Sequence, residues 1–161
     1  MVHLSKHADY AVMIMAHLGT FHSPTRISAR ELAKELFLPQ PTVSKLLKLL
    51  AKGGLLDATL GMHGGYALSK PVQDIAVCDV IEAIDGMLSL TECALAEPGQ
   101  CKTEKHCGVK RHWVLINQAI RNTLKHIPLS LMIEDPKLAR TPLPQHNPTY
   151  LQSRKVRHVQ G

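Results

Sequence analysis

The sequence is poorest in what a membrane protein or a nucleotide-using enzyme needs. No apolar window reaches the roughly 20 positions of a transmembrane helix, and the first residues lack the apolar core of a secretory signal. There is no Cys-x-x-Cys pair and no phosphate-binding glycine loop, so a small thiol or iron-sulfur oxidoreductase fares poorly as a reading. No segment repeats. Acid is scarce too: 13 Asp and Glu stand against 19 Lys and Arg, for a formal charge of +6 with ten His uncounted, and no acid follows Asp135. That balance predicts a polyanionic partner. The absent leader and spans predict a cytoplasmic location with no membrane partner.

Cysteine is present but concentrated. Three of the four lie in the loop from Cys93 through Cys101 to Cys107, with seven and then five residues between them and a Pro98-Gly99 turn to fold them toward one point. In a reducing compartment, clustered thiols bind metal or act in redox chemistry more often than they form structural disulfides. Zinc knuckles use gaps of two to four residues, and neither gap here is that short, so the spacing favours an iron-sulfur cluster. Cys78 stands apart, at a position expected to be packed in a helix, and is left out of the site.

A chain of 161 residues makes one domain or two very small ones. In chain order, a first helix is expected over 5–21, capped by Ser5 and burying Tyr10, Met13, Ile14, His17, Leu18 and Phe21. A second opens at Ser28, where Ser28-Ala29-Arg30-Glu31 has the form of a capping box, with Ala29, Leu32, Ala33 and Leu36 inward. The third begins at about Pro41 and is stopped by Gly53-Gly54. Val43, Leu46, Leu47 and Leu50 line its inner side, while Thr42, Ser44, Lys45, Lys48 and Lys52 lie on the other. Two short helices joined by a tight turn, the second showing hydroxyls and lysines, match the helix-turn-helix that reads a major groove.

Residues 55–68 then form a strand, a glycine-rich turn and a return strand, which is the wing of a winged helix. A fourth helix carries Val77, Val80, Ile81 and Ile84 and ends at Gly86. Beyond the thiol loop a long helix over 108–126 spaces Val109, Trp113, Ile116, Ile120, Leu124 and Ile127 as one stripe. A stripe outside the head calls for a partner, so a homodimer through the 108–127 helix is expected, with folding back onto its own head as the alternative. The fold class is mainly α: a winged helix-turn-helix head with a long C-terminal dimerisation helix. The divisions are 1–86 for DNA binding, 87–107 for the cysteine loop, 108–134 for dimerisation helices and 135–161 for a disordered basic tail.

Several stretches together resemble the Rrf family of winged-helix repressors, whose best-known types are IscR and NsrR. They are Leu4-Ser5-Lys6-His7-Ala8-Asp9-Tyr10-Ala11, the Gly-x-x-Gly-Gly-Tyr wing of residues 61–66, the run 75–86 and the three-cysteine loop. The resemblance spans about residues 1–134 and is nearest to regulators of the SUF iron-sulfur assembly operon. It implies a dimeric transcription factor, a repressor at a double-stranded operator, whose iron-sulfur cluster tunes DNA binding. Carried over, Cys93, Cys101 and Cys107 match the cluster cysteines. IscR-like members take a histidine three residues after the last cysteine, where this chain has Lys110. NsrR-like members take an aspartate from the partner's first helix, which corresponds to Asp9 here, and Asp9 is the favoured fourth ligand beside His106 and His112.

A 2Fe-2S centre is favoured by the SUF and IscR likeness. A 4Fe-4S centre sensing nitric oxide is the NsrR-like alternative. Members often carry a basic residue just before the wing motif, and Leu60 replaces it. DNA contacts are therefore assigned to Gln40, Thr42, Ser44, Lys45 and Lys48 on the recognition helix and to His63, Gly64 and Tyr66 on the wing. A metal-free, thiol-sensing repressor of the same fold competes with the cluster reading.

Overall fold

The computed structural model describes residues 4–21, 25–61, 64–91 and 106–133. His63, Cys93, Cys101 and the tail from 135 lie outside the described residues.

Capping chemistry sets the helix ends. Helix α1, Lys6–Gly19, starts where the Ser5 hydroxyl accepts the Ala8 amide at 3.0 Å. The same hydroxyl donates to Asp85 at 2.7 Å, tying the start of α1 to the end of α4, Val77–Asp85. Helix α2, Ala29–Glu35, has the full capping box, with the Ser28 hydroxyl accepting the Glu31 amide and the Glu31 carboxylate accepting the Ser28 amide. Helix α3, Gln40–Lys52, takes Pro41 in its first turn, where a missing amide costs nothing, and ends at Gly53.

Strands β1, Leu56–Thr59, and β2, Gly65–Leu68, pair antiparallel with Leu56 opposite Leu68 and Thr59 opposite Gly65. Ile27 adds a one-residue third strand, exchanging two backbone hydrogen bonds with Tyr66 at 3.1 and 2.9 Å. Periodicity cannot show a single bridging residue, and the sequence reading did not include it.

The core forms where α1, α3 and α4 meet. Val43, Leu46, Leu47 and Leu50 of α3 are fully buried, together with Ile14, Leu32, Ile75 and Val80. The expected inner face of α1 is rotated. Ala8, Ala11, Val12, Ile14, Met15 and Leu18 are buried, whereas Met13 and Phe21 are exposed and Tyr10 and His17 are half-buried. Two faces of this helix were apolar, and the one with two alanines won because small side chains let α1 approach α4 closely. His17 turns outward to meet the Glu35 carboxylate at 2.7 Å.

Helix α5, Lys110–Lys125, leaves the head and then returns to it. After α5 the chain forms a 3-10 turn, Leu129–Met132, and Leu129 is fully buried in the core of the head. The Leu129 amide donates to the Ile75 carbonyl at 2.7 Å, and the Val77 amide donates to the Ile127 carbonyl at 2.9 Å. Within residues 127–133, Ile127 and Leu129 are thus tied to the head, while Leu131 and Met132 stay exposed.

Among the described residues, one non-glycine backbone position is strained. Phe37, in the turn between α2 and α3, has φ +54°, the left-handed region that costs a non-glycine residue about 1–2 kcal/mol. At the wing, a Cβ on Gly65 would stand 2.8 Å from the Ile27 carbonyl oxygen, so only glycine lets the Ile27 strand pair. Gly65→Ala is expected to lower unfolding stability by about 1–3 kcal/mol in a urea titration. Gly108→Ala, which would meet nothing within 4 Å, should stay within about 0.5 kcal/mol of the parent.

Candidate nucleic-acid interface and thiol loop

Burying one side of α3 decides what the other presents. At about 100° per residue, Ser44, Lys45, Lys48 and Lys52 fall on the arc opposite the buried Val43, Leu46, Leu47 and Leu50, with Gln40 and Thr42 at its edges. Gln40, Lys45, Lys48 and Lys52 are exposed, and Thr42 and Ser44 are half-buried. The structure therefore brings all five predicted helix residues onto one outward surface. Positive charge along a helix with short hydroxyl and amide side chains near its start suits phosphate binding and base-edge hydrogen bonding.

The wing stands beside α3. The Leu55 amide donates to the Leu50 carbonyl at 3.0 Å, so the hairpin is hung directly from the end of the helix. Gly64 and Tyr66 are half-buried. A side chain on Gly64 would collide with the Thr59 carbonyl, so that glycine is already required by the turn itself. Leu60 is 97% exposed at the start of the turn. Arg26 was missed by the sequence reading. It flanks the Ile27 bridge, is exposed, and donates to the Asp57 carbonyl at 3.3 Å, adding a cation beside the wing.

The thiol loop enters and leaves through α4 and α5. Arg121 of α5 grips Glu82 of α4 with two hydrogen bonds, 2.6 Å from Nε and 2.9 Å from Nη2. Glu82 also accepts the Leu88 amide at 3.2 Å. Asn117, 3% exposed, accepts the Leu90 amide at 3.1 Å and donates to the Leu88 carbonyl at 3.0 Å. Residues 88–90, three positions before Cys93, are so pinned to α5 while α5 is pinned to α4. These three polar residues lay unmarked in the sequence, because nothing in a pattern of types pairs positions 27 and 39 apart.

Cys107 sits half-buried just before α5 as a free thiol, and Asp9 is exposed on α1. His106 and His112 are exposed as well. Among the described residues of one chain, no three His, Cys, Asp or Glu side chains converge as a metal site. Cys78 is fully buried in α4, and burial, reinforced by the Glu82 charge, pushes its thiol above the ordinary 9.0, so it stays protonated and packed.

A winged head with this register has known relatives. The model of the Rrf2 family, described as iron-dependent transcriptional regulators, matches residues 4–135. The chain belongs to the Rrf2 family. It is 27% identical to the protein rrf2 of Nitratidesulfovibrio vulgaris over 84% of this chain and 89% of that one. It is 24% identical to the HTH-type transcriptional regulator NsrR of Geobacillus kaustophilus, over 82% and 90%. Among solved structures, CymR, titled the global cysteine regulator of B. subtilis, superposes with a TM-score of 0.63 at 25% identity, covering 84% of this chain and all of that one.

As an Rrf2 regulator the chain is a DNA-binding transcription factor and not an enzyme. Among its described residues no helix is long and apolar enough to cross a membrane.

Burial pushes the Glu82 carboxyl upward, but hydrogen bonds from Arg121 and the Leu88 amide, with the charges of Arg121 and Lys125, outweigh it and hold the group below 4.5. A carboxyl depressed on folding stabilises fully above its unfolded value, and that contribution is lost as pH falls through the folded value. Acid titration of stability should therefore show Glu82→Gln losing its deficit relative to the parent below about pH 4.5, with the difference largest near neutrality. Asn117→Ala, which strands the Leu90 amide and the Leu88 carbonyl, should cost about 1–3 kcal/mol in the same measurement.

Proposed function

We propose that this regulator is a cytoplasmic, homodimeric repressor whose operator affinity is set by an iron-sulfur cluster held by Cys93, Cys101 and Cys107, with Asp9 of the partner subunit as fourth ligand. The observation that carries the reading is the polar clamp: Asn117 fastens the approach to the thiol loop to α5, and Glu82–Arg121 fastens α5 to the DNA-reading head. Whatever orders the loop acts on the two elements that orient one head against another. Half-site spacing must match the helical repeat of DNA, so a small change in head orientation changes operator affinity.

The donor set suits the cluster. Three thiolates and a carboxylate are iron ligands, and neither half-buried Cys107 nor exposed Asp9 is committed to the core. When bound, the cluster supplies a centre sensitive to oxidation and to nitric oxide. The likeness to SUF-type regulators favours 2Fe-2S and control of iron-sulfur assembly genes, and the NsrR-like aspartate favours 4Fe-4S.

The dimer reading rests on the first half of α5. Val109, Trp113, Leu115 and Ile116 are 54, 37, 56 and 44% exposed, whereas Ile120, Leu124 and Ile127 further along are half-buried. The stripe divides: its end folds back on its own head and its start is open for a second α5. A metal-free thiol sensor is the second reading, favoured by the free, half-buried Cys107 and by the likeness to CymR.

Anaerobic purification with absorption, iron and sulfide analysis separates the readings. Structured visible bands with equal iron and sulfide, lost in the Cys93→Ser, Cys101→Ser, Cys107→Ser triple variant, are expected; a colourless protein that resists reconstitution would leave the thiol sensor. Ile116→Glu is expected to sediment as a monomer. Lys48→Ala should weaken binding to all duplexes alike and flatten the plot of log Kd against log salt by about one unit of slope, whereas Ser44→Ala should relax preference at one base pair.

A further inference from the structure

We infer that Phe37 is a DNA-contacting residue, an apolar anchor placed against the deoxyribose and thymine-methyl surface of the duplex at the point where α3 enters it. The inference goes beyond the cluster reading and needs only the DNA binding that the family establishes.

Two observations single out Phe37, and the fold explains the backbone conformation, as the left-handed cap that ends α2, but not the choice of an exposed phenylalanine for it. Its backbone lies at φ +54°, the one non-glycine residue at positive φ among the described residues. Its side chain is 94% exposed, so burial of the ring does not offset the strained backbone. The turn itself does not require a phenylalanine. What closes it is the Leu38 amide donating to the Ala33 carbonyl at 3.0 Å, with Leu36 and Leu38 packed against the core on either side. Glycine or asparagine would take that conformation more readily. Non-glycine residues held in such regions cluster at binding sites, where the surroundings and not the residue determine the conformation.

The position says what the ring meets. Phe37 precedes Gln40, the first residue of α3, by three positions, and the start of a recognition helix is the part that reaches base edges. Pro39, Gln40 and Pro41 beside it are exposed, and Lys34, Lys45 and Lys48 supply positive charge on the helices to either side. A polyanion drawn onto that charge brings its sugars and thymine methyls against the ring, and these are the apolar parts of its surface. The dimer face proposed above lies on α5, a different element, so a second copy of the chain is not the occupant of this turn.

An apolar contact releases no counterions. Its removal lowers affinity while leaving the salt dependence as it was, the opposite of what removing a phosphate-binding lysine does.

The test measures fluorescence anisotropy of a duplex selected by the unmodified protein from a randomised library, across a salt series, beside thermal melting and sedimentation. Phe37→Gly is expected to melt higher than the parent, because the strain is relieved. It should bind the selected duplex about ten- to a hundredfold more weakly at unchanged salt slope. Phe37→Tyr, which keeps the ring, should bind within about threefold of the parent. Phe37→Gly binding as tightly as the parent would overturn the inference. So would a weakened affinity accompanied by a changed salt slope or a changed oligomeric state, since the ring would then be serving charge placement or self-association. Duplex binding by Phe37→Tyr as weak as that of Phe37→Gly would overturn it as well.

Discussion

Everything this head offers to DNA depends on the complete burial of one side of α3. Val43, Leu46, Leu47 and Leu50 are closed off from solvent by α1, α2 and α4, and with that side fixed the helix has no freedom to rotate. Lys45, Lys48 and Lys52 are then held outward by default, because burying an unpaired ammonium in an interior is far more costly than any local preference of the chain. The wing inherits its position from the same constraint, being joined to the end of α3 through the Leu55 amide. The reading surface is in this sense the reverse side of a hydrophobic core.

A second constraint is polar. The bidentate Arg121–Glu82 pair joins α5 to α4 and the doubly bonded Asn117 joins it to residues 88–90, and among the described residues no buried side-chain polar atom is left without a partner. Polar contacts of this kind are directional. They hold α5 and residues 88–90 in one register where an apolar patch would tolerate sliding. That suits a junction standing between a thiol loop and a DNA-reading head. The return of the chain through Leu129 into the core secures the other end of α5, so the helix is held at its base while its first turns project.

Phe37 shows the opposite balance. Most of the turn and cap chemistry agrees with the fold: Ser5, Ser28, Pro41 and Gly86 all sit where their side chains or backbone freedom are wanted. Phe37 disagrees in residue type and in exposure: a phenylalanine fills the left-handed cap of α2, where glycine is favoured, and its ring is exposed, within a stretch that is otherwise locally consistent. A single local violation in a consistent neighbourhood points to a demand from outside the free chain.

By itself the sequence determined the helices, the hairpin and the inner side of α3, because these follow from periods and caps that act within a few residues: the Ser28–Glu31 capping box, the leucine spacing of 43–50, the glycines of the wing. The grouping of Gln40, Thr42, Ser44, Lys45 and Lys48 on one surface followed from the same periodicity. Only the tertiary structure decided which of two apolar faces α1 would bury, since that choice turned on the close approach allowed by Ala8 and Ala11 and not on the number of large side chains. Only it paired Glu82 with Arg121 and Asn117 with residues 88 and 90, and bridged Ile27 to Tyr66. It also divided the α5 stripe into a folded-back end and an open start. Such pairings join residues distant in sequence, and their energy exists only once packing has brought the elements together.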